Sequence, residues 1–197
     1  MKAKEVILCI DDEPIILRLI KGQLEPNFGD HFDLRFAENA ESAKIMLNEI
    51  QANKQPLVMA IVDQLLPGQL GHEFLAEISE MYPNLVKILF SGKSDFDTVI
   101  RGINEAQIFR YLIKPWDETD FINIIQRGLQ QYYIQESIDA QLAELHHRVK
   151  NNLTIITCLL ELQISELPDV STKLHFQDSI NRINSIARVH ELIYDSD

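Results

Sequence analysis

An acidic pair, Asp11-Asp12, follows directly on the apolar run Val6-Ile7-Leu8-Cys9-Ile10, and Asp63, Ser91 and Lys114 each close a similar run further along the chain. In a parallel α/β sheet the carboxyl ends of the strands share one edge, so residues far apart in sequence that each end a strand converge on one crevice. Three carboxylates, a hydroxyl and an ammonium would meet there. Crowded carboxylates repel one another, and unless one takes up a proton the usual relief is a hard divalent cation with oxygen ligands. The chemistry these residues point to is a Mg²⁺ site beside a reactive aspartate.

Such a set needs a scaffold that presents strand ends together. Short β-branched runs near 5–10, 32–37, 57–63, 85–90 and 109–113 alternate with amphipathic segments near 14–25, 39–51, 71–82 and 94–106. This (βα)₅ pattern implies an α/β fold with a parallel five-stranded sheet covered on both faces. Pro14 suits the first turn of a helix and Asn39 suits a helix cap. After Pro115 the character changes. From Thr119 to Leu167 there is no proline and a single glycine, Gly128, so one helix can run through, for roughly 70 Å at 1.5 Å per residue. Its apolar positions Ile134, Ile138, Leu142, Leu145, Val149, Leu153, Ile156, Leu160, Ile164 and Leu167 recur at three- and four-residue steps, the mark of a coiled-coil or bundle seam. Pro168-Asp169 breaks it, and a second helix follows with Phe176, Ile180, Ile183, Ala187, His190 and Tyr194 on one face. Two helices make half of a four-helix bundle, and a second copy most simply supplies the rest, giving a symmetric homodimer.

The motifs Asp63-Gln64-Leu65-Leu66-Pro67 with Gly71, Phe90-Ser91-Gly92, and Tyr111-Leu112-Ile113-Lys114-Pro115, together with the acidic pair, resemble the receiver domain of bacterial two-component response regulators, a flavodoxin-like fold, from about Glu5 to the mid-120s. The resemblance implies that Asp63 is the phosphoacceptor. It also implies that Asp12 and Asp63, with Asp11 through water and the backbone carbonyl of Leu65, hold Mg²⁺. Lys114 would then pair with one phosphate oxygen and the Ser91 hydroxyl would donate to another. By the same resemblance Ser91 and Tyr111 stand at the switch positions and the Lys114-Pro115 bond is cis. The interval from Asp12 to Asp63 is somewhat long for the family, which implies longer surface loops around 26–31 and 51–56.

The stretch Glu144-Leu145-His146-His147-Arg148-Val149-Lys150-Asn151-Asn152-Leu153, with Ile186-Ala187-Arg188-Val189-His190-Glu191-Leu192 on the second helix, resembles the dimerisation and histidine-phosphotransfer domain of histidine kinases carrying an H-R-x-x-N box, over about 136–195. The resemblance makes His147 the phosphoacceptor. Helical geometry points the same way: with Leu145 and Val149 in the seam, His147 lies about 200° round from Leu145 on a strip with Glu144, Lys150, Asn151 and Thr154, whereas His146 flanks the seam. Asn151, one turn on, could position a water for dephosphorylating a partner's aspartyl phosphate. An exposed neutral imidazole is a competent nucleophile near pH 7. His190 reads as a core histidine, and His31, His72 and His175 receive no role.

Three parts are therefore expected: a receiver over 1–120, a linking helix over 121–135 continuous with the last receiver helix, and a helical hairpin over 136–197. The sequence is expected to be the front part of a hybrid histidine kinase whose ATP-binding domain has been cut off or is absent, and would be supplied in cis or in trans. Its receiver would tune autophosphorylation of His147, and its partner would be a response regulator or histidine kinase. Whether this chain is itself an enzyme stays open. A non-enzymatic phosphorelay adaptor and a receiver with a merely dimerising helical output are the alternatives. The formal net charge of −12 is spread over both parts, with 12 basic and 20 acidic residues in 1–126 and 6 and 10 in 127–197. No basic patch stands out, which disfavours nucleic acid. No segment approaches the roughly twenty apolar residues of a membrane span, and Cys9 and Cys158 suit neither a disulfide framework nor a zinc site. A reducing cytoplasm is the expected compartment.

Overall fold

The computed structural model of the chain describes residues 3–92, 107–166 and 170–194, and the side chains within them except at 165–166, 170–171 and 190–194. The chain divides into two compact units, Met1–Glu136 and Ser137–Asp197.

The first unit is built on a parallel sheet of β1 (Glu5–Ile10), β2 (Phe32–Ala37), β3 (Leu57–Asp63), β6 (Val86–Ser91) and β7 (Arg110–Ile113), in the order β2-β1-β3-β6-β7. Two-residue strands β4 (Leu65–Leu66) and β5 (Gln69–Leu70) form a small antiparallel ribbon after β3. The central strand β3 is buried along its whole length, as a near-continuous apolar run should be when both faces of a parallel sheet are covered. Alternation along β1 divides the core in two. Val6, Leu8 and Ile10 pack with Ala43, Leu47 and Ile50 of α2 (Ala40–Ala52) and Phe74, Leu75 and Ile78 of α3 (Gly71–Ser79). Ile7 and Cys9 pack with Leu17, Ile20 and Leu24 of α1 (Pro14–Phe28) and Phe121, Ile125 and Leu129 of α4 (Glu118–Glu166). The helix expected near 94–106 lies outside the described residues.

Local signals behave as their chemistry requires. Pro14 opens α1, and Asn39 caps α2 in a reciprocal pair with Ser42. The extra residues between Asp12 and Asp63 lengthen helices rather than loops: α1 runs through Pro26 to Phe28, and α2 reaches Ala52. A proline in a helix forfeits roughly 3 kcal/mol, but continuing the turn buries Phe28, worth about 1.5–3 kcal/mol, and sets its ring edge-on to Phe32 at 6.3 Å.

Helix α4 spans 49 residues. Its start is fixed by Asp117, whose carboxylate accepts from the Asp120 amide at 3.0 Å. The stretch expected as a linker instead covers the sheet, since Phe121, Ile125, Leu129 and Tyr132 are buried. Gly128 permits this closeness: a Cβ there would come within 2.8 Å of side-chain atoms of Met59 and Val86.

The second unit contains the later part of α4 and α5 (Val170–Tyr194). Ile180 is buried, and Leu153, Thr157, Leu160, Ile164, Phe176, Ile183 and Ala187 are half-buried. One strip of each helix is thus covered. Ile138, Leu142, Leu145, Val149 and Ile156 from the expected seam remain exposed, as do Ile155, Leu159 and Leu162. The apolar arc of α4 is wider than one partner helix covers. Cys158 is exposed, whereas Cys9 is buried, and burial pushes the Cys9 thiol far above its ordinary range.

Candidate functional site

Four residues come together at the carboxyl edge of the sheet because their strands are neighbours there. Asp11 follows β1, Asp63 ends β3, Ser91 ends β6 and Lys114 follows β7. The Lys114 ammonium lies 2.7 Å from Asp11 Oδ2, 2.6 Å from Asp63 Oδ1 and 3.6 Å from Glu13 Oε1. The Asp11 side chain is 0% exposed and that of Asp63 8%. Burial raises the Asp11 carboxyl above its usual range, while the hydrogen bonds from Lys114 and from the Glu13 amide pull the other way. For Lys114 burial works downward, but the hydrogen bonds to Asp11 and Asp63 outweigh it and hold the ammonium above its ordinary value.

Strand alternation explains which acid turns inward. A strand places successive side chains on opposite sides, and immediately past β1 Asp11 is buried while Asp12 is exposed at the rim. The structure therefore brings Asp11, Asp63 and Lys114 into one cluster and leaves Asp12 outside it. Among the described residues no three acidic, histidine or cysteine side chains converge as a ready-made metal cage. The donor chemistry nevertheless suits a hard divalent cation: Asp11 and Asp63 share one ammonium, Glu13 approaches the same ammonium, and every donor is oxygen.

The backbone around Asp63 is held tightly. Asp63 Oδ2 accepts from the Leu65 amide at 2.7 Å, the Gln64 amide donates to the Phe90 carbonyl at 2.8 Å and the Gly71 amide to the Gln64 carbonyl at 2.9 Å. Pro67-Gly68 turns the ribbon, with Gly68 at φ +83°. Gly71 has to be glycine, because a Cβ there would sit 2.1 Å from the Asp63 carbonyl oxygen. On the far side the buried Ser91 hydroxyl donates to the Gly92 carbonyl at 2.8 Å, and the Lys114 amide donates to the Ser91 carbonyl at 2.8 Å. Tyr111 is half-buried against the α2–α3 core. The Lys114–Pro115 bond is cis.

Two features escaped the sequence reading. Gln64, fully buried beside Asp63, hydrogen-bonds the His72 imidazole at 2.9 Å, so His72 has a partner in the first turn of α3. The Trp116 indole donates to Gln23 Oε1 of α1 at 3.0 Å. The Lys-Pro-Trp sequence next to the site was the available signal for the second; for the first there was none.

In the second unit His147, Glu144, Lys150, Asn151 and Thr154 are all exposed, and His146 is half-buried. The strip carries an Arg148–Glu144 ion pair at 2.8 Å, which lowers the Glu144 carboxyl below its ordinary range.

A doubly wound sheet whose neighbouring strand ends gather acids, a hydroxyl and a lysine defines a flavodoxin-like receiver. The response regulator receiver domain family matches residues 7–126, and the chain belongs to that family. The histidine kinase family matches residues 144–197. Solved receivers agree: the signal receiver domain of an HD domain-containing protein from Pseudomonas fluorescens is 29% identical, with a TM-score of 0.58 over 66% of this chain and 98% of its own. A response regulator receiver domain protein from Clostridium thermocellum is 28% identical, with a TM-score of 0.57 over 66% and 98%. Among curated relatives, the hydrogenase transcriptional regulatory protein HoxA of Cupriavidus necator is 30% identical over 129 residues, 66% of this chain and 25% of its own. The sensor histidine kinase PdtaS of Mycobacterium tuberculosis is 40% identical over 57 residues, 29% of this chain and 11% of its own. The chain thus spans about a quarter of the first relative and about a tenth of the second. A receiver joined to a histidine-kinase segment places the chain in two-component signalling. No helix among the described residues is long and apolar enough to cross a membrane.

Proposed function

We propose that the chain is a receiver that regulates a histidine-kinase core through phosphorylation of Asp63. A carboxylate oxygen of Asp63 attacks the phosphorus of a phosphohistidine or small acyl phosphate; the bond to the leaving nitrogen or oxygen breaks, and an acyl phosphate forms. Phosphoryl transfer needs positioning and neutralised charge more than covalent help. Lys114 is already within 2.6 Å of the nucleophile, so its ammonium exchanges a carboxylate oxygen for a phosphate oxygen. The Ser91 hydroxyl leaves the Gly92 carbonyl for another. Asp11, Asp12, Asp63 and the Leu65 carbonyl would hold Mg²⁺, which would supply further charge neutralisation. The observation that carries this reading is the Asp11–Lys114–Asp63 cluster.

His147 accepts a phosphoryl group from ATP held by an ATP-binding domain in cis or in trans, and Asn151 positions water on the same exposed strip. The exposed apolar arc of α4 joins a second copy to complete a four-helix bundle. Support for the His147 assignment is its exposure opposite the apolar arc, beside the half-buried His146. The test of the receiver is labelling by a small acyl phosphate. Label should require Mg²⁺, be released by alkali and vanish in Asp63→Asn. Label that persists in that variant, or forms without Mg²⁺, contradicts the assignment.

A further inference from the structure

The chain has one tryptophan, Trp116, placed between Lys114 and the start of α4. Its indole N–H donates to Gln23 at 3.0 Å, and Gln23 is a polar side chain of α1 with only 8% exposure. The indole ring lies 4.4 Å from the Phe90 ring and 5.8 Å from that of Phe121, and the two phenyl rings are 5.7 Å apart. Phe90 immediately precedes Ser91, and Phe121 lies in the opening turns of α4. The three rings therefore touch both the strand end that carries the site hydroxyl and the helix that leaves the receiver.

A cluster of large rings in a close-packed core has few arrangements. The part-buried hydrogen bond favours one of them, because leaving the indole N–H or the Gln23 oxygen unmatched is unfavourable. Lys114 and Ser91 are also joined directly through the Lys114 amide and the Ser91 carbonyl at 2.8 Å. When a phosphoryl group reaches Asp63, Lys114 must redistribute its contacts and Ser91 must reorient. Phe90, stacked on Trp116, adjoins Ser91, and Pro115, bonded to Trp116, adjoins Lys114.

We propose that Trp116 is a positioning residue: held by Gln23, it fixes the loop that aims Lys114, and its ring cluster carries the state of Asp63 to the first turns of α4. The proposal rests on the reading of Asp63 as phosphoacceptor, and it names the part of the receiver through which that state reaches the helix.

The experiment follows tryptophan emission and alkali-labile label together in the full chain with Mg²⁺ and acetyl phosphate. In the native chain an emission change should develop at the rate of labelling, and Asp63→Asn should show neither. Gln23→Met keeps the volume and removes the acceptor; it should raise the KM for acetyl phosphate roughly two- to tenfold, the range that one net hydrogen bond spans, and should diminish the emission change. Trp116→Phe keeps a ring without the donor and should raise KM similarly. Label forming in the native chain with no emission change, or native KM in both variants, overturns the proposal and leaves the receiver reading standing. No label in the native chain overturns the receiver reading and the proposal with it.

Discussion

Lys114 is the cation that lets Asp11 and Asp63 share the sheet edge, since burial disfavours the charge on Asp11 and the ammonium opposes that penalty. The geometry depends equally on a residue with no side chain. Replacing Gly71 by alanine drives a methyl group into the Asp63 carbonyl, and overpacking of this kind removes about 1–3 kcal/mol of stability. Gly71→Ala should therefore lower the urea midpoint and slow acyl-phosphate labelling. A variant with native stability and native labelling would show that the ribbon gives way freely. Asp11, Asp63, Ser91 and Lys114 were legible in the sequence because each ends an apolar run that reads as a strand. The Gln23–Trp116 bond was not legible: its partners are 93 residues apart, and a helical glutamine carries no sign that its face will be buried. The inward turn of Asp11 and outward turn of Asp12 depend on where β1 stops, which an acidic pair alone does not reveal.

Element boundaries show the same division between local and tertiary causes. The caps at Pro14 and Asn39 were readable because their chemistry is local. The passage of α1 through Pro26 was not, since it follows from burial of Phe28 against the sheet. Helix α2 ends in a Schellman motif, with the Gln55 amide donating to Ile50 and the Lys54 amide to Gln51, and Lys54 takes the left-handed position at φ +51°. Glycine adopts that conformation without the side-chain clash. Lys54→Gly should raise stability by up to about 1 kcal/mol, the left-handed penalty of about 1–2 kcal/mol less the roughly 0.5–1 kcal/mol of entropy that glycine loses, measured by chemical denaturation; a loss would show that the lysine side chain contributes there. On α4, burial first, then the charges of Glu136 and Glu5, push the Tyr132 hydroxyl up to about 12. A folded-state value raised above the unfolded one gives stability that is complete below about pH 10 and lost as pH rises from there toward about 12. Tyr132→Phe should remove that part of the alkaline loss. Identical alkaline unfolding profiles for native chain and variant would contradict the assignment.

At the scale of the molecule, a 49-residue helix begins in the receiver core and continues through the segment that bears His147. Its length was legible because proline is missing from that stretch. Its division into a receiver-covered half and a hairpin half was not, because both halves carry apolar residues at helical spacing. The covered strip holds Leu153, Leu160 and Ile164, whereas Ile156 and Leu159 are 45% and 55% exposed. If a second copy covers that arc, Ile156→Asp with Leu159→Asp should convert a dimer to a monomer by light scattering while helix content is retained; a native chain that is monomeric at tens of micromolar removes the bundle. The most direct test of the two-acceptor account is phosphosite chemistry. The full chain is given ATP and a histidine-kinase ATP-binding domain in trans, and label is sorted by acid and alkali stability in native, His146→Gln and His147→Gln forms. Acid-labile, alkali-stable label is expected on the native chain and on His146→Gln, and none on His147→Gln; acid-labile label that survives in His147→Gln and disappears in His146→Gln would contradict phosphorylation at His147.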